Sequence, residues 1–184
     1  MTKTHFGYEQ VDIDEKARRV RGVFDSVARR YDLMNDLMSG GMHRLWKRFA
    51  VEIALLRRGG RVLDLASGTG DLARLFADVV GPDGLVVVSD INHAMLVEGR
   101  DKTIDRGLAL PVVQCNAESL PFPDRSFDAV SIGFGLRNVT RKELALSEMR
   151  RVLKPGGRVV LTTNASDHSS RLYDVHARVA RRLG

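Results

Sequence analysis

From Val20 to Met38 the apolar residues Val20, Val23, Phe24, Val27, Tyr31, Met34 and Met38 recur three or four positions apart, the spacing of one helix face. A second helical pattern runs over residues 43–56, with Leu45, Trp46, Phe49, Ile53 and Leu56 expected to point inward. It stops at Arg57-Arg58-Gly59-Gly60, where basic residues and glycine suit a helix C-terminus. Beyond that point the period changes. Short apolar runs rich in β-branched residues predict strands over 61–65, 85–90, 109–115, 127–133 and 158–163. Helical patterns fill the gaps at 71–79, 93–106 and 141–153, and 171–183 reads as one closing helix. Parallel strands require crossover connections, so this alternation predicts an α/β fold with a doubly wound, mostly parallel sheet.

In such a sheet ligands bind beyond the carboxyl ends of the strands. The first predicted strand runs into Asp64-Leu65-Ala66-Ser67-Gly68-Thr69-Gly70-Asp71. Gly68 and Gly70 permit a tight turn and close approach of backbone to a ligand at a helix N-terminus. Gly68-x-Gly70-x-x-Ala73 meets the loose dinucleotide fingerprint, and Asp90, 20 residues after Gly70, stands where an acid binds ribose hydroxyls. Two glycines alone are an ordinary turn. With an acid closing the next strand they point to an adenosine-type ligand, either a nicotinamide dinucleotide or S-adenosylmethionine. Asp64 tilts the choice to the latter, because a carboxylate beside the loop suits a sulfonium and an ammonium better than a pyrophosphate. The third strand ends in Gln114-Cys115-Asn116-Ala117-Glu118, which offers an amide and backbone donors to an adenine edge, with Leu120-Pro121-Phe122 as an apolar wall.

Composition narrows the remaining classes. The chain has 184 residues, which fits one domain: a helical region 1–60 as a substrate-side cap, a cofactor-binding α/β core 61–163 and a C-terminal helix 164–184. The net charge is +6, from 29 Lys+Arg and 23 Asp+Glu, and the excess sits toward the ends of the chain. The basic runs Arg18-Arg19-Val20-Arg21 and Lys47-Arg48 lie within helical reach of acidic residues, so a solvated face accounts for them. Aromatic residues are only 6% and no zinc-finger or RNA-recognition spacing occurs, so no nucleic-acid partner is expected. None of the five histidines has metal-ligand spacing, and no metal is expected. The single cysteine fits a reducing compartment. No apolar run approaches the ~20 residues of a membrane span, and residues 1–10 lack a basic-then-apolar leader. The expected location is cytoplasmic.

Longer strings carry a more specific signal. Thr4-His5-Phe6-Gly7, Val23-Phe24-Asp25-Ser26-Val27-Ala28, the run from Tyr31 to Ser39, His43-Arg44-Leu45-Trp46-Lys47-Arg48 and Phe134-Gly135-Leu136-Arg137-Asn138-Val139 resemble the ubiquinone/menaquinone biosynthesis C-methyltransferases, within the class I S-adenosylmethionine-dependent methyltransferases. The resemblance covers residues 4–160. It implies a Rossmann-like sheet with N-terminal helices, S-adenosylmethionine as cofactor, and methyl transfer to a ring carbon of a polyprenylated benzoquinol or naphthoquinol. It also implies that Thr69, Asp90, and Asn116 with Ala117 contact the cofactor; the reading of the loop itself adds Asp64, Gly68 and Gly70. The family usually has serine before the Phe134-Gly135 pair; Gly133 stands there in this chain, leaving backbone alone.

On the substrate side the resemblance assigns Arg137, Asn138 and Tyr31. Arg137 would stabilise a phenolate on the quinol, since its guanidinium stays protonated and is a poor base. Asn138 and Tyr31 would orient the substrate oxygens. Without the resemblance, Arg137 would read as a surface ion-pair residue and Tyr31 as a core aromatic. Similar proteins continue beyond the fifth strand with a helix and an antiparallel strand pair, so that pair is expected to be missing and 158–163 to form a sheet edge. Expected partners are the quinol, with peripheral contact at the inner membrane face or with quinone-biosynthesis proteins, and a homodimer is compatible. Two alternatives stand beside the enzyme reading: a cofactor-binding assembly subunit with an impaired substrate side, and a nicotinamide-dependent oxidoreductase, which Asp64 and the Arg137 string disfavour.

Overall fold

A computed structural model of the chain describes residues 42–162 continuously, the backbone of residues 3–6 and 9–12, and the isolated positions 15, 19 and 22. The helix expected between Val20 and Met38, Tyr31 within it, and the closing helix at 171–183 lie outside the described residues. The region 1–60 is not helical throughout: β1 (Lys3–Phe6) pairs antiparallel with β2 (Glu9–Asp12), Phe6 opposite Glu9.

Helix α1 (Met42–Ile53) corrects the expected inward face. Ala50, Val51 and Ala54 are the buried residues, whereas Leu45, Trp46, Phe49 and Ile53 are all more than 40% exposed. The small side chains let α1 approach α2 (Asp71–Val80) closely, in one cluster with Leu72, Ala73 and Phe76. After Ile53 the N–H groups of Ala54 and Leu55 turn back to the Val51 and Glu52 carbonyls, and Leu55 takes φ 48°, which ends the helix before the expected Leu56.

The core is a five-stranded sheet of β3 (Arg61–Leu65), β4 (Leu85–Asp90), β5 (Val112–Gln114), β6 (Phe127–Gly133) and β7 (Leu153–Thr162). All neighbours are parallel, in the order β5-β4-β3-β6-β7. The crossovers are α2, α3 (His93–Ile104) and α4 (Lys142–Val152). β7 is an edge of the sheet among the described residues. Because both faces of a parallel sheet are covered, its strands are apolar on both sides. Val62, Val86, Val88, Ala129 and Val160 pack under α1 and α2. Leu63, Leu65, Val87, Val130 and Ile132 pack against Ala145, Leu146, Met149 and Val152 of α4.

Two strand boundaries differ from expectation. β5 is shorter than 109–115; Pro111 has no N–H for the ladder, although its carbonyl accepts from the Val88 N–H at 2.8 Å. β7 starts at Leu153, directly after α4, because Leu153 is already extended (φ −78°, ψ 138°) and opposes Phe127. The register then slips before Arg158 opposes Ala129, so Lys154-Pro155-Gly156-Gly157 forms an irregularity inside the strand.

Candidate functional site

The strand order reverses at β3: the chain leaves it toward β4 and β5 on one side and returns to β6 and β7 on the other. A crevice at the carboxyl ends of β3 and β6 is the favoured ligand position in such a sheet. Both lips are strained there. Ala66, just after β3, has φ 48°, and Phe134, just after β6, has φ 59°. A Cβ on Gly135 would stand 2.3 Å from the Ala66 Cβ, so only glycine lets the two loops come this close.

The glycine loop is fixed by backbone bonds and by one acid. Ser67 N–H donates to the Ser89 carbonyl at 3.0 Å, and Gly70 N–H closes a turn onto the Ser67 carbonyl at 3.0 Å. Gly68 and Gly70 have φ 57° and 78°, values that L side chains rarely adopt. Asp90, at the end of β4, accepts the Gly68 N–H on Oδ2 at 3.0 Å and the Asn92 N–H on Oδ1 at 2.9 Å. Burial raises its carboxyl above the ordinary range, opposed by the backbone donors of Asn92, Gly68 and Ile91. Asp90 therefore clasps the loop, and each oxygen keeps a further lone pair for a ligand hydroxyl. Thr69 is buried at 4% exposure within the loop.

Behind the loop lies Asp64, with no exposed surface. Its register partner on β6 is Ser131, whose hydroxyl donates to Asp64 Oδ1 at 2.5 Å. The other oxygen, Oδ2, has no hydrogen-bond partner, and neither has the buried Ser67 hydroxyl. Burial lifts the Asp64 carboxyl to about 7; the Ser131 bond, the Lys47 charge and the Ala73 N–H pull it down, and Asp90 pushes it up. A buried carboxyl oxygen without a partner behind a glycine cradle fits a ligand carrying positive charge, felt through the field. The Asp64 charge does not suit a pyrophosphate, which brings only acceptors and negative charge.

Sequence reasoning missed several supports. Gly99 of α3 is one: a Cβ there would lie 3.0 Å from the Gly68 carbonyl oxygen, so α3 packs directly on the loop only with glycine. Ser131 is another, a buried hydroxyl between Val130 and Ile132 of β6, and that break in the apolar run was its one visible signal. Beyond β5, Asn116 is exposed and uses its side-chain oxygen to accept the Glu118 N–H at 3.0 Å, while Ala117 is half-buried against the core. Arg151 holds the wall that follows, donating to the Leu120 and Phe122 carbonyls at 2.9 and 2.8 Å and pairing with Glu148 and Asp124. The Phe122 ring meets Phe127 edge-on at 5.2 Å.

On the β6 side, Gly133 has room for a small side chain, its added Cβ falling 3.4 Å from Leu72 and 3.7 Å from the Thr162 hydroxyl. Arg137 and Asn138 belong to a short 3-10 turn, Leu136–Asn138, anchored by the buried Leu136. Arg137 is exposed and makes no ion pair among the described residues; Asn138 is half-buried. The structure thus brings Asp64, Gly68, Thr69, Gly70, Asp90, Gly133 and the Arg137 turn to one end of the sheet.

Comparisons with known proteins bear on this arrangement. A family model described as the ubiE/COQ5 methyltransferase family matches residues 12–177. A protein of Nitrosospira multiformis named ubiquinone/menaquinone biosynthesis C-methyltransferase UbiE is 58% identical over 180 residues, covering 96% of this chain and 74% of that protein. Its namesake in Cellvibrio japonicus is 56% identical over 179 residues, covering 95% and 72%. One from Saccharophagus degradans is 60% identical over 160 residues, covering 86% and 64%. Among solved structures, an S-adenosylmethionine-dependent methyltransferase from Aquifex aeolicus superposes with TM-score 0.60 at 23% identity, covering 66% of each chain, a likeness of fold. An arsenic(III) S-adenosylmethionine methyltransferase from Chlamydomonas reinhardtii gives 0.57 at 28% identity, covering 69% of this chain and 52% of that one.

Proposed function

The chain belongs to the ubiE/COQ5 methyltransferase family, and from that membership we infer that it is an S-adenosylmethionine-dependent C-methyltransferase acting on a quinol ring of ubiquinone or menaquinone biosynthesis. The observation that carries the reading is the glycine loop clasped by Asp90 at the strand-order reversal, in a chain 58% identical to a named quinone C-methyltransferase. The loop residues Gly68, Thr69 and Gly70 would hold the cofactor, Asp90 its ribose, and Asn116 with Ala117 its adenine edge. When bound, the cofactor supplies an already activated methyl group. The protein's own task is to hold the quinol carbon in line, exclude water and favour ionisation of the neighbouring hydroxyl. Arg137 serves the last role by offering a fixed positive charge to the phenolate; Asn138 and Tyr31 orient the ring oxygens.

No helix among the described residues is long and apolar enough to cross a membrane. A substrate with a polyprenyl tail resides in the bilayer, so the reading includes peripheral contact at the inner membrane face. The nicotinamide alternative loses its ground with the family membership. Calorimetric titration should show binding of S-adenosylmethionine and none of NAD, followed by methyl incorporation into a reduced demethyl-quinone. Micromolar NAD binding without S-adenosylmethionine binding would overturn the reading.

Asp90 has two duties, and two substitutions separate them. Asp90→Ala removes both the ribose acceptor and the Gly68 brace, and should weaken cofactor binding by about 1.5 to 3 kcal/mol, the range for hydrogen bonds to a charged group. Asp90→Asn keeps one acceptor oxygen and should lose less. Unchanged affinity in Asp90→Ala, measured by the same titration, would remove the ribose from this place.

A further inference from the structure

Lys47, expected from the sequence on a solvated face, is instead largely covered, its side chain 18% exposed. It shares the inward face of α1 with Ala50, Val51 and Ala54, three, four and seven positions on, and that face lies against α2. Its ammonium is therefore carried to the start of α2, where it meets Asp71 Oδ2 at 2.9 Å across two side chains that are 18% and 27% exposed. Asp71 directly follows Gly70, so the ammonium borders the glycine loop.

A cation at a helix N-terminus is opposed by the helix dipole. The Asp71 carboxylate offsets that opposition and ties α1 to α2, but it engages only part of the ammonium. Three open groups converge on the loop. Asp71 takes one of the three ammonium donors of Lys47, and the others have no acceptor among the described residues. The N-cap of α2 is Gly70, which offers no side chain to the N–H groups of Asp71 and Leu72, while the Ala73 N–H faces Asp64. Asp64 Oδ2, wholly buried beneath the loop and within the field of Lys47, lacks any partner. A cation beside an uncapped helix start, with a buried anion behind, is complementary to an α-amino acid zwitterion.

We propose that Lys47, oriented by Asp71, binds the carboxylate of the methionine portion of S-adenosylmethionine, so that α1 takes part in cofactor recognition. The proposal rests on the methyltransferase reading above and assigns one contact within it. A free carboxylate lying between the Lys47 ammonium and the α2 N-terminus receives donors from both. The Asp64 charge, which does not reach the surface, acts on the nearby ammonium of the ligand through the field alone.

Decarboxylated S-adenosylmethionine keeps the sulfonium, adenosine and amine and lacks only the carboxylate, which makes it the discriminating probe. Calorimetric titration of the full chain should show that Lys47→Met weakens S-adenosylmethionine binding roughly tenfold to a hundredfold, the range for a charge-assisted hydrogen bond. Binding of the decarboxylated analogue should stay nearly unchanged. Lys47→Gln, which keeps a hydrogen bond to Asp71 without the charge, carries the same comparison if the methionine variant does not fold, and Lys47→Arg should restore most of the discrimination. Equal losses for both ligands would overturn the proposal and reduce Lys47 to a tie between helices. Failure of the wild-type chain to bind S-adenosylmethionine at all would instead refute the methyltransferase reading.

Discussion

Arg137→Ala should cut methyl transfer to a short-tailed demethyl-quinol by about 10² to 10³, the usual effect of removing one preorganised electrostatic contact, and leave cofactor affinity essentially unchanged. The expectation follows from where the side chain stands. Its turn begins at the carboxyl end of β6, next to the glycine loop, and Gly135 against Ala66 fixes the separation of the two loops. The guanidinium is exposed and has no carboxylate partner among the described residues, so none of these neutralises it before the substrate arrives. It cannot take a proton, and its contribution is to lower the energy of the phenolate that makes the adjacent ring carbon nucleophilic. An oxidised quinone has no hydroxyl to ionise and should be inert. Tritiated methyl incorporation with and without reductant, for the 184-residue chain and the variant, measures this. Equal incorporation by both proteins would take Arg137 out of the mechanism. No incorporation by the wild type under saturating cofactor binding would favour the assembly-subunit alternative.

The second large effect is on pH. Asp64 keeps its proton up to about 7 in the folded protein, against about 4 for an ordinary aspartate. Between those values the folded chain binds more protons than the unfolded one, so this group makes stability fall as pH rises from about 4 to about 7 and level off above. Cofactor affinity runs the other way. A sulfonium and an ammonium near the loop favour the carboxylate, so binding expels the proton, and affinity for S-adenosylmethionine should rise with pH by up to about tenfold per unit below 7 and flatten above. The charged groups facing Asp64 are Lys47 and Asp90, with the Ser131 hydroxyl and Ala73 N–H as local donors. Asp64→Asn should remove most of the slope below pH 7. Ser131→Ala removes a bond that favours the carboxylate and should move the inflection to higher pH. A flat affinity profile from pH 6 to 8 in the wild type would show that Asp64 does not change protonation on binding.

Much of this architecture is written locally. The change from helical spacing to short apolar runs at Arg61 located β3, β4 and β6 to the residue, because a strand buried on both faces cannot be confused with the polar segments around it. The glycine loop and Asp90 were legible for a similar reason: positive φ and a strand-end acid are demands that one or two residues satisfy alone. The expected face of α1 was wrong because periodicity identifies an apolar stripe without saying what it meets. Ala50, Val51 and Ala54 won the α2 contact since close helix approach selects small side chains over Trp46 and Phe49.

What the tertiary structure decided is which distant residues share a charge. Asp64 and Ser131 are 67 positions apart, and only the parallel register of β3 and β6 sets the hydroxyl against the carboxylate. Lys47 and Asp71, 24 apart, meet because α1 settles on α2. Gly68 and Asp90 meet because the first crossover returns β4 beside β3. The amino-acid sequence by itself determined the elements, the cofactor loop and the family strings, since each depends on neighbours along the chain. The protonation of Asp64, the clasp on Gly68 and the placement of Lys47 depend on burial and strand order, which are fixed only when non-local packing excludes water from the crevice.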